Sequence, residues 1–183
     1  MDVTKGLRHH PGDSLLRGIF YMTFIVISGA PNLDVDIIVN VQGDEPFVKK
    51  EPLEKLLQLF DDPSVQVASL MQVMKDQNDI VDPNFVKVVD QKMNALFFSR
   101  CAIPYPRDIN IIPVYYEHIV VYGFRKQALM SFTQWLVSPL EAIEKIECLR
   151  CPENGIPLRM AVVDYMGVEI DTPEDLERAA RLI

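Results

Sequence analysis

Two carboxylates stand side by side at the end of a short apolar run, and that placement is the part of this chain best suited to chemistry. The stretch is Asp36-Ile-Ile-Val-Asn-Val-Gln-Gly-Asp-Glu-Pro-Phe47. Ile37 to Val41 has the length and composition of a strand buried on both faces of a parallel or mixed sheet. Gln42, Gly43, Asp44 and Glu45 follow it, just past the carboxyl end of the strand, where open α/β sheets bind ligands. Gly43 lets the backbone turn or a ligand approach closely. Asp44 and Glu45 supply the hard oxygen ligands that Mg²⁺ prefers. The structural alternative is a solvated acidic turn.

Further polar residues fit the same chemistry. Asp171 precedes Thr172, a helix cap, so the helix dipole favours its ionised form. If Asp44 and Asp171 meet, they form a carboxylate pair for Mg²⁺ with positions open to phosphate. Arg100 and Arg107 flank a loop marked by Pro104, Pro106 and Pro113, as forks suited to phosphate or carboxylate. His118 and Tyr122 lie four residues apart on a strand, so both face the same way on the pleat. Structural roles are the alternative for each. Glu147 follows Leu140 and Ile143 by seven and four residues and is expected on their partly apolar helix face, where a carboxylate needs a partner. Cys148 and Cys151 form a lone Cys-x-x-Cys. A second ligand pair for structural zinc is not visible, and a pair closing a helix is placed where the dipole raises the thiol pKa, so neither zinc nor redox chemistry is expected.

The elements that must position these residues alternate between strand and helix signals after Asp34, which predicts an α/β fold. Leu53, Leu56, Leu57 and Phe60 repeat at helical spacing, with Pro52 in the first turn and a stop at Asp61-Asp62-Pro63. Strands are expected at 65–73, 118–124 and 158–163. A hairpin is expected from 85–89 and 95–98 around Asp90-Gln-Lys-Met-Asn94. Residues 76–83 read as a loop or short helix. Ser138-Pro-Leu-Glu141 is a capping box, and Thr172-Pro-Glu-Asp175 repeats that design ahead of a helix to Leu182.

The chain has 183 residues, enough for one domain with a sizeable core. A net charge of −8 makes it a poor general binder of nucleic acid or anionic membrane, so an anionic substrate needs a local basic pocket. Three cysteines are too few for a disulfide framework, which points to a reducing compartment, the cytoplasm. Residues 1–34 read as an atypical N-terminal segment and 35–183 as the domain. That segment carries His9, His10, a basic cluster of Lys5, Arg8 and Arg17, and an apolar run from Gly18 to Ala30. The run is too short to span a bilayer. It suits a buried strand at least as well as a secretory signal.

Together the motifs resemble those of one family. Val39-Asn-Val-Gln-Gly-Asp-Glu-Pro46, Phe98-Ser-Arg-Cys-Ala-Ile-Pro104, Ser138-Pro-Leu-Glu141 and Ile170-Asp-Thr-Pro-Glu-Asp-Leu176 occur in this order, at similar spacing, in the 3-deoxy-manno-octulosonate (Kdo) cytidylyltransferases. The resemblance covers about residues 35–183. It implies a Rossmann-like nucleotidyltransferase fold with a mixed, mostly parallel sheet, usually homodimeric. It also implies transfer of CMP from CTP to Kdo, giving CMP-Kdo and pyrophosphate for lipopolysaccharide. By the same resemblance Asp44 and Asp171 would bind Mg²⁺, and Gln42, Arg107, His118, Tyr122 and Glu147 would contact the sugar acid. Two departures stand out. Cys148 replaces a glutamine frequent in the family's sugar site. The family's N-terminal half, with an Arg-x-x-Ser-x-Arg-x-Pro-Gly-Lys loop that cradles the CTP triphosphate, has no match in the residues before Gln42. The expectation is a truncated cytidylyltransferase of weak or no activity. A non-catalytic remnant, or a transferase for another 2-keto sugar acid such as a sialic acid, are the alternatives.

Overall fold

One ten-residue strand organises the sheet. Six of the ten residues of Tyr116–Arg125 are Tyr, Phe, Ile or Val, the types that suit a pleated, buried surface. The computed structural model describes residues 34–41, 49–108 and 110–164. In chain order these form β1 (Ile37–Val41), α1 (Lys50–Gln58), β2 (Val67–Val73), α2 (Gln77–Val81), β3 (Lys87–Gln91), β4 (Asn94–Ser99), β5 (Tyr116–Arg125), α3 (Lys126–Phe132), α4 (Pro139–Glu144), α5 (Arg150–Glu153) and β6 (Leu158–Val163), with 3₁₀ turns at Leu59–Asp61 and Glu147–Leu149. The described strands make one sheet in the order β1-β5-β2-β6-β4-β3, with a further β5–β3 pairing.

The fold is α/β with a mixed sheet, as expected. Among the described strands, however, parallel pairing is confined to β2–β6, and β5 runs antiparallel to β1, β2 and β3. The expectation of a mostly parallel sheet does not hold there. Strands separated by helical segments suggest parallel crossovers, but here the long β5 returns between β1 and β2 against both. The expectation that β1 is buried on both faces is also corrected. Only Ile38 of its five residues is buried, because among the described residues β1 pairs with β5 alone. Residues 1–33 of the N-terminal segment, the motif at Gln42 to Pro46, and the cap and helix expected at 171–182 lie outside the described residues.

The sheet divides two cores. On one face Leu56 from α1 and Phe60 pack on Ala68, Leu70, Ile119 and Val121. On the other, Ala128, Leu129 and Phe132 from α3, with Leu149 and Cys151, pack on Val67, Tyr122, Phe124 and Met160. Gly123 lets α1 come close: a Cβ there would lie 2.6 Å from the Phe60 ring. The expected hairpin is β3–β4. Its turn residues Lys92 and Met93 both have positive φ, the geometry of a tight two-residue connection. The Met93 carbonyl accepts from the Met160 amide at 2.8 Å and fastens the hairpin to β6.

Both halves of the capping box expected at Ser138 form: Ser138 Oγ accepts from the Glu141 amide, and a Glu141 carboxylate oxygen accepts from the Ser138 amide, each at 3.3 Å. The same carboxylate is in ion-pair contact with Arg150 Nε at 2.7 Å, both side chains being more than 90% buried. The Arg150 guanidinium lies 4.3 Å from the centre of the Phe132 ring. The Nε–H itself is not aligned for a hydrogen bond, so charge attraction and packing carry the contact. Arg150 thereby ties α3, α4 and α5 around the Glu147–Leu149 turn. Breaking a buried pair from one side leaves an uncompensated charge. Arg150→Ala is therefore expected to lower the free energy of unfolding by about 3–5 kcal/mol, read from urea melts, with Glu141→Gln recovering part of the loss in that background.

Candidate functional site

A partly apolar cleft opens between β1, β5, α3 and the 3₁₀ turn. Ile38, Phe124, Leu129 and Phe132 form its apolar walls, and Asn40, Tyr122, Glu147 and Cys148 line it with polar atoms. Register explains the grouping. Asn40 is the pairing partner of Tyr122 across β1 and β5, and side chains opposite one another on paired strands share a face. Glu147 and Cys148 arrive from the other side. The helix expected to carry Glu147 ends earlier, because Lys145 takes a left-handed conformation (φ 57°) after α4. Glu147 therefore does not share the face of Leu140 and Ile143. It opens a separate turn that faces the cleft. The Cys-x-x-Cys likewise does not close α4: Cys148 lies in that turn and Cys151 in α5.

Burial keeps the Tyr122 hydroxyl and the Cys148 thiol in their neutral forms. Burial first, then the neighbouring Cys148 and Glu147, push the Tyr122 hydroxyl well above its usual range, so it remains a hydrogen-bond donor. Burial, then the neighbouring Cys151, pushes the Cys148 thiol up, and burial pushes Cys151 up to about 12. Both are free thiols in the core, where burial disfavours the thiolate. His118 is buried and stacked between Phe98, at 4.6 Å between ring centres, and Tyr122, at 5.4 Å. Burial lowers its pKa to about 3, so the ring is neutral at physiological pH. Its Nε2 lies 3.0 Å from Ser69 Oγ. Its Nδ1 is buried without a hydrogen-bond partner among the described residues.

The structure thus brings Tyr122 and Glu147 to one cleft, with His118 stacked directly beside Tyr122. Arg107 is on an exposed loop and does not line the cleft. Arg100, paired with it in the sequence reading, braces the fold. Its Nε donates to the Glu144 carbonyl and its Nη1 to that of Pro83, each at 2.8 Å. Gln42, Asp44 and Asp171 lie outside the described residues. Among those described, three or more metal-ligating side chains do not come together anywhere, and none of the helices is long and apolar enough to cross a membrane. Asn40 and Ser69 were not singled out from sequence. Each is the one polar residue within a five-residue apolar stretch, 37–41 and 67–71, and that signal could have found them.

This sheet, with helices on both faces and a cleft at its edge, is that of an α/β nucleotidyltransferase domain. The chain belongs to the cytidylyltransferase family, whose model matches residues 22–180. It is 48% identical over 162 residues to the 3-deoxy-manno-octulosonate cytidylyltransferase of Christiangramia forsetii, covering 86% of this chain and 65% of that protein. The enzyme of the same name from Flavobacterium johnsoniae is 47% identical, with 86% and 66% covered. The solved structure of a CMP:2-keto-3-deoxy-manno-octonic acid synthetase complexed with CTP superposes with a TM-score of 0.81 at 35% identity, over 87% of this chain and 66% of that one. The chain therefore spans a little under two thirds of the length of these relatives.

The buried neutral histidine has a consequence for stability. Between pH 6.5 and about 3 the unfolded chain binds a proton at this position that the folded chain does not. Stability therefore rises with pH across that window and is lost as pH falls below 6.5. The expected slope from this one group is about 1.4 kcal/mol per pH unit. Urea midpoints measured from pH 6.5 down to 4.5 check it: His118→Gln is expected to flatten the dependence by that amount.

Proposed function

We propose that this chain carries the sugar-acid side of a Kdo cytidylyltransferase, transferring CMP from CTP to Kdo with release of pyrophosphate. The observation that carries the reading is the cleft of Asn40, Tyr122 and Glu147. It lies in a chain 35–48% identical to proteins bearing that activity's name. A sugar acid presents several hydroxyls and one carboxylate. The Tyr122 hydroxyl donates to such a ligand, Glu147 accepts from its hydroxyls, and the amide of Asn40 does either. Phe124 and Leu129 exclude water from one side, which strengthens each polar contact. Arg107, a planar fork on the loop between β4 and β5, is the group suited to the sugar carboxylate.

Asp44 and Asp171 are the residues we assign to Mg²⁺, on the chemistry of the donor set: two carboxylates, hard ligands of the kind the ion takes alongside water and phosphate. Mg²⁺ held there would supply positive charge to the phosphate oxygens and to the attacking hydroxyl. Asp44 follows β1 by three residues, and β1 itself borders the cleft through Ile38 and Asn40. The reading extends to a homodimer in the cytoplasm, where three free thiols suit a reducing compartment.

The test is titration calorimetry of the whole chain with Kdo in the presence of CTP and Mg²⁺, followed by an assay for pyrophosphate. Kdo is expected to bind and to elicit weak pyrophosphate release, and Asp44→Ala is expected to abolish that release. Glu147→Gln is expected to weaken Kdo about 10- to 100-fold, the worth of one hydrogen bond to a charged acceptor. Equal release with a sialic acid, or full release from Asp44→Ala, contradicts the assignment.

A further inference from the structure

We propose that Ser69 is a positioning residue for sugar-acid binding: it fixes His118 as the Nε2–H tautomer, so that Nδ1 presents a bare lone pair to a hydroxyl of the bound sugar. The inference rests on the functional reading above for the identity of the ligand, and on geometry for the tautomer.

Ser69 Oγ has three polar neighbours. The Val121 carbonyl is at 2.8 Å, the Ile119 carbonyl at 3.1 Å and His118 Nε2 at 3.0 Å. A carbonyl oxygen only accepts, and a serine hydroxyl has one hydrogen. That hydrogen goes to a carbonyl. If it went to His118 instead, Ser69 lone pairs would face two carbonyl lone pairs in a fully buried position, a cost nothing nearby offsets. The hydroxyl therefore meets His118 with a lone pair, and Nε2 must carry the hydrogen. Imidazole Nδ1 is then an acceptor, since the buried ring is neutral.

That acceptor has no hydrogen-bond partner among the described residues. Buried polar atoms are nearly always paired, and an exception calls for an explanation. The ring is 4% exposed and packs at a tilt of 57° against Tyr122, which lines the cleft, so the ring lies directly behind the lining rather than in it. A donor hydroxyl on a ligand in that cleft is the partner that completes the set. Ser69 reaches the ring because of an irregularity in pairing: Ser69 opposes Tyr122, whereas Leu70 opposes Ile119, leaving Val120 and Val121 as two extra residues on β5. The same irregularity sets the Ile119 and Val121 carbonyls around the serine hydroxyl.

The experiment is nitrogen-15 NMR of histidine side chains in the whole chain at pH 7, with His9→Gln and His10→Gln leaving His118 as the sole reporter. The expected spectrum has Nε2 protonated and Nδ1 bare. Adding Kdo with CTP is expected to shift Nδ1 as it accepts a hydrogen bond. Ser69→Ala is expected to abolish the tautomer preference and weaken Kdo about tenfold, one hydrogen bond's worth, with CTP affinity unchanged. Ser69→Thr, which keeps the hydroxyl, is expected to restore both. An Nδ1–H tautomer or an imidazolium in the wild-type spectrum overturns the proposal, as does a Ser69→Ala chain with unchanged Kdo affinity. A wild-type spectrum as expected, with no Kdo binding at all, overturns the functional reading and leaves the Ser69–His118 pairing standing.

Discussion

The arrangement of the cleft depends on the register of β5 against β2. Side chains on a strand alternate between faces, so a slip of one residue would turn every group on β5 to the wrong side. The irregularity at Ser69 and Leu70 adds two residues instead of one, and an even insertion preserves the alternation. His118, Val120, Tyr122 and Phe124 therefore stay on the face of α3, while Ile119 and Val121 stay on the face of α1. His118 and Tyr122 thus stand on one row of the strand.

From that row follows the electrostatic character of the site. Burial disfavours the charged forms of the His118 ring and the Tyr122 hydroxyl, and the thiol of Cys148 behaves alike. Glu147 brings the cleft a carboxyl group, from a turn beside the buried Glu141–Arg150 pair. A chain with a net charge of −8 repels anions at a distance, so the sugar-acid recognition proposed above would rely on short, directed hydrogen bonds rather than on long-range attraction.

Much of this was legible in the sequence, for identifiable reasons. Period-two alternation in 118–124 placed His118 and Tyr122 on one face. Ser138 and Glu141 announced α4, because a capping box is a local device that needs no tertiary context. The hairpin was legible from its apolar flanks, although Lys92 and Met93 lack the Asn-Gly signal usual for positive φ. What escaped was non-local. The antiparallel return of β5 is decided by partners tens of residues away. The placement of Glu147 turned on Lys145, a residue type that rarely takes the left-handed region and so gave no warning of a helix end. Ser69 looked like an ordinary strand residue, since its three partners lie about 50 positions further on.

The central claim is that one cleft, bounded by β1, β5 and the turn at Glu147, receives the sugar acid. The most direct measurement is backbone amide shift mapping of the isotopically labelled chain during titration with Kdo in the presence of CTP and Mg²⁺. The account predicts that the largest changes fall at Asn40, Tyr122, Glu147 and Cys148. Changes confined to the β3–β4 hairpin or the exposed loop around Arg107, with the cleft silent, would contradict it.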